Sequence, residues 1–149
     1  MGAKAGARGA RGTTGPAAAI IAFGLLNVAA GDNATPASAT PVAAPWCGVT
    51  GLGVGWVAPR AGSVTALSAA LSAAAADADA IVGVYKNGTL LTGAIVTLAE
   101  ATNDTKAHST FTAGTHTFVA GDVLDVRVRT GSGWSATTAD LGASVEVTF

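Results

Sequence analysis

From Ile81 onward, apolar and polar residues alternate with a period of two, and Gly, Asn or Asp interrupts the alternation about every ten residues. In Val123–Arg129, Leu124, Val126 and Val128 fall on one face and Asp125, Arg127 and Arg129 on the other, the pattern of a half-buried strand. Ile81–Lys86 is a strand that runs into Asn87-Gly88, a pair that tolerates positive φ at both positions and so predicts a two-residue hairpin. Its partner is Thr89–Leu98, kinked near Gly93. Thr110–Phe111 and His116–Val119 flank a second predicted turn at Ala113-Gly114, placing His108 and His116 on either side of a hairpin. Gly121-Asp122 turns into Val123, Gly131–Gly133 turns again, and Ala143–Phe149 closes the chain as a last strand. Ser63–Ser72 stays ambiguous: Val64, Leu67 and Leu71 have helical spacing, whereas Leu67, Ala69 and Leu71 suit one face of a strand. The expected fold is all-β, an antiparallel β-sandwich or jelly roll over residues 46–149.

Upstream the pattern changes. Residues 18–30 (AAIIAFGLLNVAA) are too apolar for a surface strand and predict a buried strand with apolar neighbours on both faces. Residues 31–45 form a Pro, Ser, Thr and Ala linker, so 17–45 reads as strand plus linker. The basic stretch ahead of the apolar run gives it the outline of a secretory leader. Gly24 and Asn27 break the run, however, and Gly15-Pro16 stands at its entrance, so it is expected to belong to the fold. It also falls short of the about 20 apolar residues that span a bilayer, and no membrane partner is expected. In residues 1–16, Gly6, Gly9, Gly12 and Gly15 recur at a period of three (GAR-GAR-GTT-GPA). That period suits either a short collagen-like bundle of three chains or a Gly-rich arm that orders on a partner.

Composition sharpens this picture. Half of the 149 residues are apolar but only 5% are aromatic, so the core must be built from small side chains that bury little area each. Charged residues are 11%, against about 25% in an average soluble domain, which implies that much of the surface faces other protein. Lys4, Arg8 and Arg11 make the arm basic, while the other five basic residues stand against nine acidic ones. A basic arm on an acidic body fits docking onto a negative protein surface.

Little in the chain predicts chemistry. Cys47 is the single cysteine, and His108 and His116 have no zinc-ligand spacing, so no metal or cofactor is expected. His108, His116, Asp104 and Asp122 lie near one another in sequence, but no nucleophile motif accompanies them and no catalytic residue is assigned. GLGVG at 51–55 lacks the helix and Lys of a phosphate loop, and no nucleic-acid partner is expected. The sequons at Asn33, Asn87 and Asn103 are read as turns. Trp46, Trp56 and Trp134 are bulky anchors for core or intersubunit packing. Trp134 also has a second reading, as an exposed contact to a receptor or glycan.

Three motifs then occur in a telling order: Trp56-Val57-Ala58-Pro59-Arg60-Ala61-Gly62-Ser63-Val64, Val84-Tyr85-Lys86-Asn87-Gly88, and Ala120-Gly121-Asp122-Val123-Leu124-Asp125-Val126. Together, over residues 56–149, they resemble the C1q-like branch of the tumour-necrosis-factor-type jelly rolls. The resemblance implies a tight homotrimer with a collagen-like stem, and the Gly triplets stand where that stem would be. Val64 and Ala66 replace the aromatic residues that usually follow the Pro-x-x-Gly turn, and no position matches the family's calcium ligands. VYKNGT, AGD and a last strand ending in Phe also resemble small virion proteins of tailed bacteriophages. What these resemblances imply is a non-enzymatic virion structural protein, a homotrimeric decoration protein that stabilises the head. Its partners would be itself and the major capsid protein or another virion protein. The alternative is a tail-fibre or C1q-like module that binds a receptor or glycan. In the first reading Lys4, Arg8 and Arg11 dock on the capsid, and Phe23, Leu25, Trp56, Val84, Tyr85, Val126 and Phe149 pack the core or the trimer.

Overall fold

A computed structural model describes residues 17–25, 28, 42–44, 55–131, 133–135 and 139–149. Its strands are β1 (Ala18–Leu25), β2 (Val42–Ala44), β3 (Trp56–Val57), β4 (Gly62–Leu71), β5 (Ala80–Lys86), β6 (Thr89–Leu98), β7 (Lys106–Thr110), β8 (His116–Phe118), β9 (Val123–Thr130) and β10 (Leu141–Thr148). Sheet A runs β1-β10-β4-β7, with β8 also on β4; sheet B runs β2-β9-β5-β6, with β3 also on β9. All pairings are antiparallel, and one set of them nests: β1 with β10, β2 and β3 with β9, β4 with β7 and β8, β5 with β6. A long antiparallel ribbon rolled on itself produces this nesting, and the β10–β4 and β9–β5 contacts join successive turns of the roll into two sheets. The chain is thus an all-β sandwich of jelly-roll connectivity, as the alternation predicts.

Alternation also selects the core. Leu141, Ala143, Val145 and Val147 of β10 and Leu124, Val126 and Val128 of β9 are buried between the sheets. Phe118 is the largest of the fully buried side chains, and the others of that group are Leu and Val. The small-side-chain core required by the composition is therefore present. One end of it carries an aromatic group in which Trp56 meets Phe118 edge-on at 5.9 Å and Phe149 lies 6.1 Å from Phe118.

The ambiguous stretch at 63–72 is strand, and its helical spacing has a local cause. β10 pairs Glu146 with Ala66 but Val147 with Val64, so Thr65 is the extra residue of a β-bulge. The bulge shifts the parity of β4 by one, and Val64 and Leu67, three apart, both reach the core. Thr65 is held outward by its hydroxyl, which donates to the Glu146 carboxylate at 2.7 Å, while its carbonyl accepts the Phe111 N–H at 2.8 Å.

Two expectations are corrected. β1 is covered on one face, not both: it is an edge strand paired along its length with β10, and while Ile21 and Phe23 are buried, Ile20 is 73% exposed. The residues around Ala113-Gly114 do turn, with Gly114 at φ 86 and the Thr115 N–H donating to the Thr112 carbonyl, but no hairpin results. β7 and β8 lie end to end along β4, on Ala66–Ala70 and Gly62–Val64 respectively. Residues 111–115 are an excursion from a single strand line.

The Asn87-Gly88 hairpin has the expected geometry, with φ of 51 and 82. Its tip is tied to the next turn: Asn87 Nδ2 donates to Asp122 Oδ1 at 2.7 Å, and the Val123 N–H donates to Asn87 Oδ1 at 2.8 Å. The Val119 N–H donates to Asp122 Oδ2 at 2.8 Å. That backbone bond, with the Asn87 amide second, holds the Asp122 carboxyl below its ordinary value of 3.8. A carboxylate depressed by folding contributes stability above the unfolded pKa and loses it as pH falls through the folded one. Thermal melts are therefore expected to show a stability decrement opening as pH drops below about 4. Asp122→Ala should be less stable than wild type at pH 7 and should converge with it in acid. A gap independent of pH would refute this assignment.

Candidate functional site

In sheet A the inward positions fill the core, and the outward ones form a face whose rows can be read across the strands. One row is Ile20, Glu146, Ala66 and Thr110; the next is Ala22, Ser144, Ser68 and His108; the third is Gly24, Gly142, Ala70 and Lys106. Most of these side chains are small and uncharged. Glu146 and Lys106 are the only charged residues among the outward positions of β1, β4, β7 and β10. An open groove of about 770 Å³ crosses the second and third rows, and a smaller hollow of about 150 Å³ lies beside Ile20.

The outer face of sheet B differs. Asp125 and Arg127 form a paired ion bridge, with Nε to Oδ1 and Nη2 to Oδ2 both at 3.0 Å, and the Arg127 guanidinium stacks 4.5 Å from the Tyr85 ring centre. The bond to Asp125 raises the Arg127 pKa above its ordinary value, and burial raises that of Tyr85. Leu90, Ile95 and Tyr85 close over Gly83, where an added Cβ would come within 2.8 Å of Leu90. Around Gly83 this face fills its own space, while a hollow of about 260 Å³ remains at its Ile81–Arg129 end.

The residues singled out from sequence are dispersed. Phe23, Val84 and Val126 are core, and Leu25 packs partly buried against it. Trp56 and Phe149 belong to the end cluster, with Arg60 4.3 Å over the Phe149 ring, and Tyr85 lies under Arg127 on sheet B. Trp134 is corrected as an exposed contact: it is 4% exposed, and its Nε1 donates to the Val28 carbonyl at 3.0 Å. Lys4, Arg8, Arg11, Trp46 and Cys47 lie outside the described residues.

No catalytic constellation assembles among the described residues. His108 points outward from β7, whereas His116 is buried on the inner side beside Phe111, their rings 4.8 Å apart. Asp104 accepts the Ala99 N–H and Asp122 is engaged in its turn. Among the described residues no cluster of three His, Cys, Asp or Glu occurs, and no helix is long and apolar enough to cross a membrane. Sequence reasoning passed over Ile20, Gly24, Lys106, Gly142 and Glu146. Their alternation with core residues was visible, but only strand pairing places them on one face.

Fold and face together define a jelly-roll sandwich with one nearly neutral, unfilled outer surface. No protein-family model matches the chain, and no curated protein matches it significantly in sequence.

Proposed function

We propose that the chain is a non-enzymatic virion structural protein, a homotrimeric decoration protein of a bacteriophage capsid, whose copies meet through the outer face of sheet A. The observation that carries the reading is that face, four strands wide with two charged residues, against a sheet B whose outer face carries Asp125, Arg127 and Arg129. A neutral surface of small residues gives up little hydration when a second protein covers it, and such surfaces are typical of permanent association. The jelly-roll connectivity is the one that the C1q-like resemblance implies, and the Gly triplets precede β1. In this role the protein acts mechanically. Trimers seated across capsomer joints add buried surface that must be separated before the shell opens. The basic residues Lys4, Arg8 and Arg11 supply contacts to an acidic capsid face.

Light scattering on the full chain at micromolar concentration tests the trimer, with an expected mass three times the 14.3 kDa of one chain. A monomer overturns the homotrimer. Copy number in purified particles tests the decoration role, which requires a stoichiometry approaching that of the major capsid protein. A few copies per particle would point to a fibre tip instead.

A further inference from the structure

The described glycines separate into those the fold requires and those it does not. Gly55, Gly62, Gly83, Gly131 and Gly133 would each drive a Cβ closer than 3.0 Å to a neighbour, and Gly88, Gly93, Gly114 and Gly121 have positive φ. Gly24 and Gly142 meet neither condition. A Cβ on Gly142 would find nothing within 4 Å, and one on Gly24 would make an ordinary contact of 3.7 Å with the Leu141 carbonyl. These two are paired with each other across β1 and β10, and both lie in the outward row that continues to Ala70 and Lys106. Glycine inside a strand weakens it, and where nothing among the described residues needs the missing side chain, the close approach it permits is to a backbone or side chain from elsewhere.

The same face carries what would enter. Ile20, the most exposed of the large apolar side chains among the described residues, stands four positions from Gly24 on β1, about 13 Å at roughly 3.3 Å per residue. Beside it in the same row is Glu146, which uses one carboxylate oxygen on Thr65. The glycine row ends in Lys106, which has no hydrogen-bond or ion-pair partner among the described residues. One row thus offers an apolar knob and a negative charge; the other offers a flat seat and a positive charge.

Resting on the self-association reading, we infer that the Ile20–Glu146 row of one copy seats on the Gly24–Gly142–Ala70–Lys106 row of the next copy. Ile20 covers the glycine pair, and Glu146 faces the neighbour's Lys106. Burying Ile20 removes the largest apolar exposure on the face, and the opposed charges fix the register.

The test is the dissociation constant of the full-length chain by sedimentation, for wild type and variants whose folding is checked by circular dichroism. Gly142→Leu fills the seat from a position where an added Cβ meets nothing within 4 Å among the described residues, and is expected to weaken association on the order of 100-fold. Ile20→Ser should act in the same direction. Glu146→Lys and Lys106→Glu should each weaken association about 10-fold, and the double exchange should recover most of it. Should Gly142→Leu misfold, Ile20→Ser and the charge exchange carry the test. Association unchanged in Ile20→Ser, or a double exchange no tighter than the weaker single variant, overturns the contact while leaving self-association intact. A monomeric wild type removes the self-association reading itself, and this contact with it.

Discussion

Phe118→Ala is expected to remove about 3–5 kcal/mol of folding stability, enough to lower the melting temperature by roughly 10 °C or more. Phe118 is 2% exposed, on the short strand β8 where it pairs with Gly62. Its ring lies edge-on to both Trp56 and Phe149, and an added Cβ at Gly62 would come within 2.8 Å of it. Gly62 is therefore the space that Phe118 occupies. Truncation leaves a cavity the size of a ring in a core built mainly of Val, Ala and Leu. The loss includes a cavity contribution because the neighbours collapse only in part. Urea denaturation of both proteins at one fixed protein concentration measures the difference, the fixed concentration being needed because association adds to apparent stability. Phe118→Leu should lose less. A deficit under about 1 kcal/mol for the alanine variant would mean that the aromatic end contributes little to the fold.

What the sequence disclosed was governed by how local its cause was. The β5–β6 hairpin was legible because Asn87-Gly88 carries its own φ preferences, and β9 because Leu124, Val126 and Val128 alternate without a break. β4 was ambiguous because the bulge at Thr65 is set by its pairing with β10, some eighty residues away, and that bulge turns a period-two pattern into apparent helical spacing. β7 and β8 resembled two arms of a hairpin because a true tight turn lies between them, while their common partner β4 is remote in sequence. The apolar character of β1 by itself implies burial on both faces. Ile20 shows that one of those faces is not covered by the described residues. The outward rows were illegible for the same reason. Gly24 and Gly142 stand more than a hundred positions apart, and only the register of two terminal strands reveals them as a pair.

Trp134→Ala is expected to cost a similar 3–5 kcal/mol, and Trp134→Phe about 1–3 kcal/mol, for separable reasons. The indole is buried with its Nε1–H on the Val28 carbonyl, across 106 residues of chain, and the Val28 N–H donates to the Ala139 carbonyl at 2.7 Å. Val28, 1% exposed, is thus held from both sides by the β9–β10 connection. These bonds fasten the chain after the first strand to the segment just before the last, closing the outermost turn of the roll. Phenylalanine keeps most of the packing but leaves the Val28 carbonyl without its donor, and a buried carbonyl without a partner carries its full desolvation penalty. Alanine loses both the bond and the volume. Denaturation curves for the two variants separate the contributions. If Trp134→Phe matched wild type, the hydrogen bond would be dispensable and the tryptophan retained for shape alone. The ligand-contact reading of Trp134 makes the opposite forecast, that of a surface residue whose truncation changes stability by no more than about 0.5 kcal/mol.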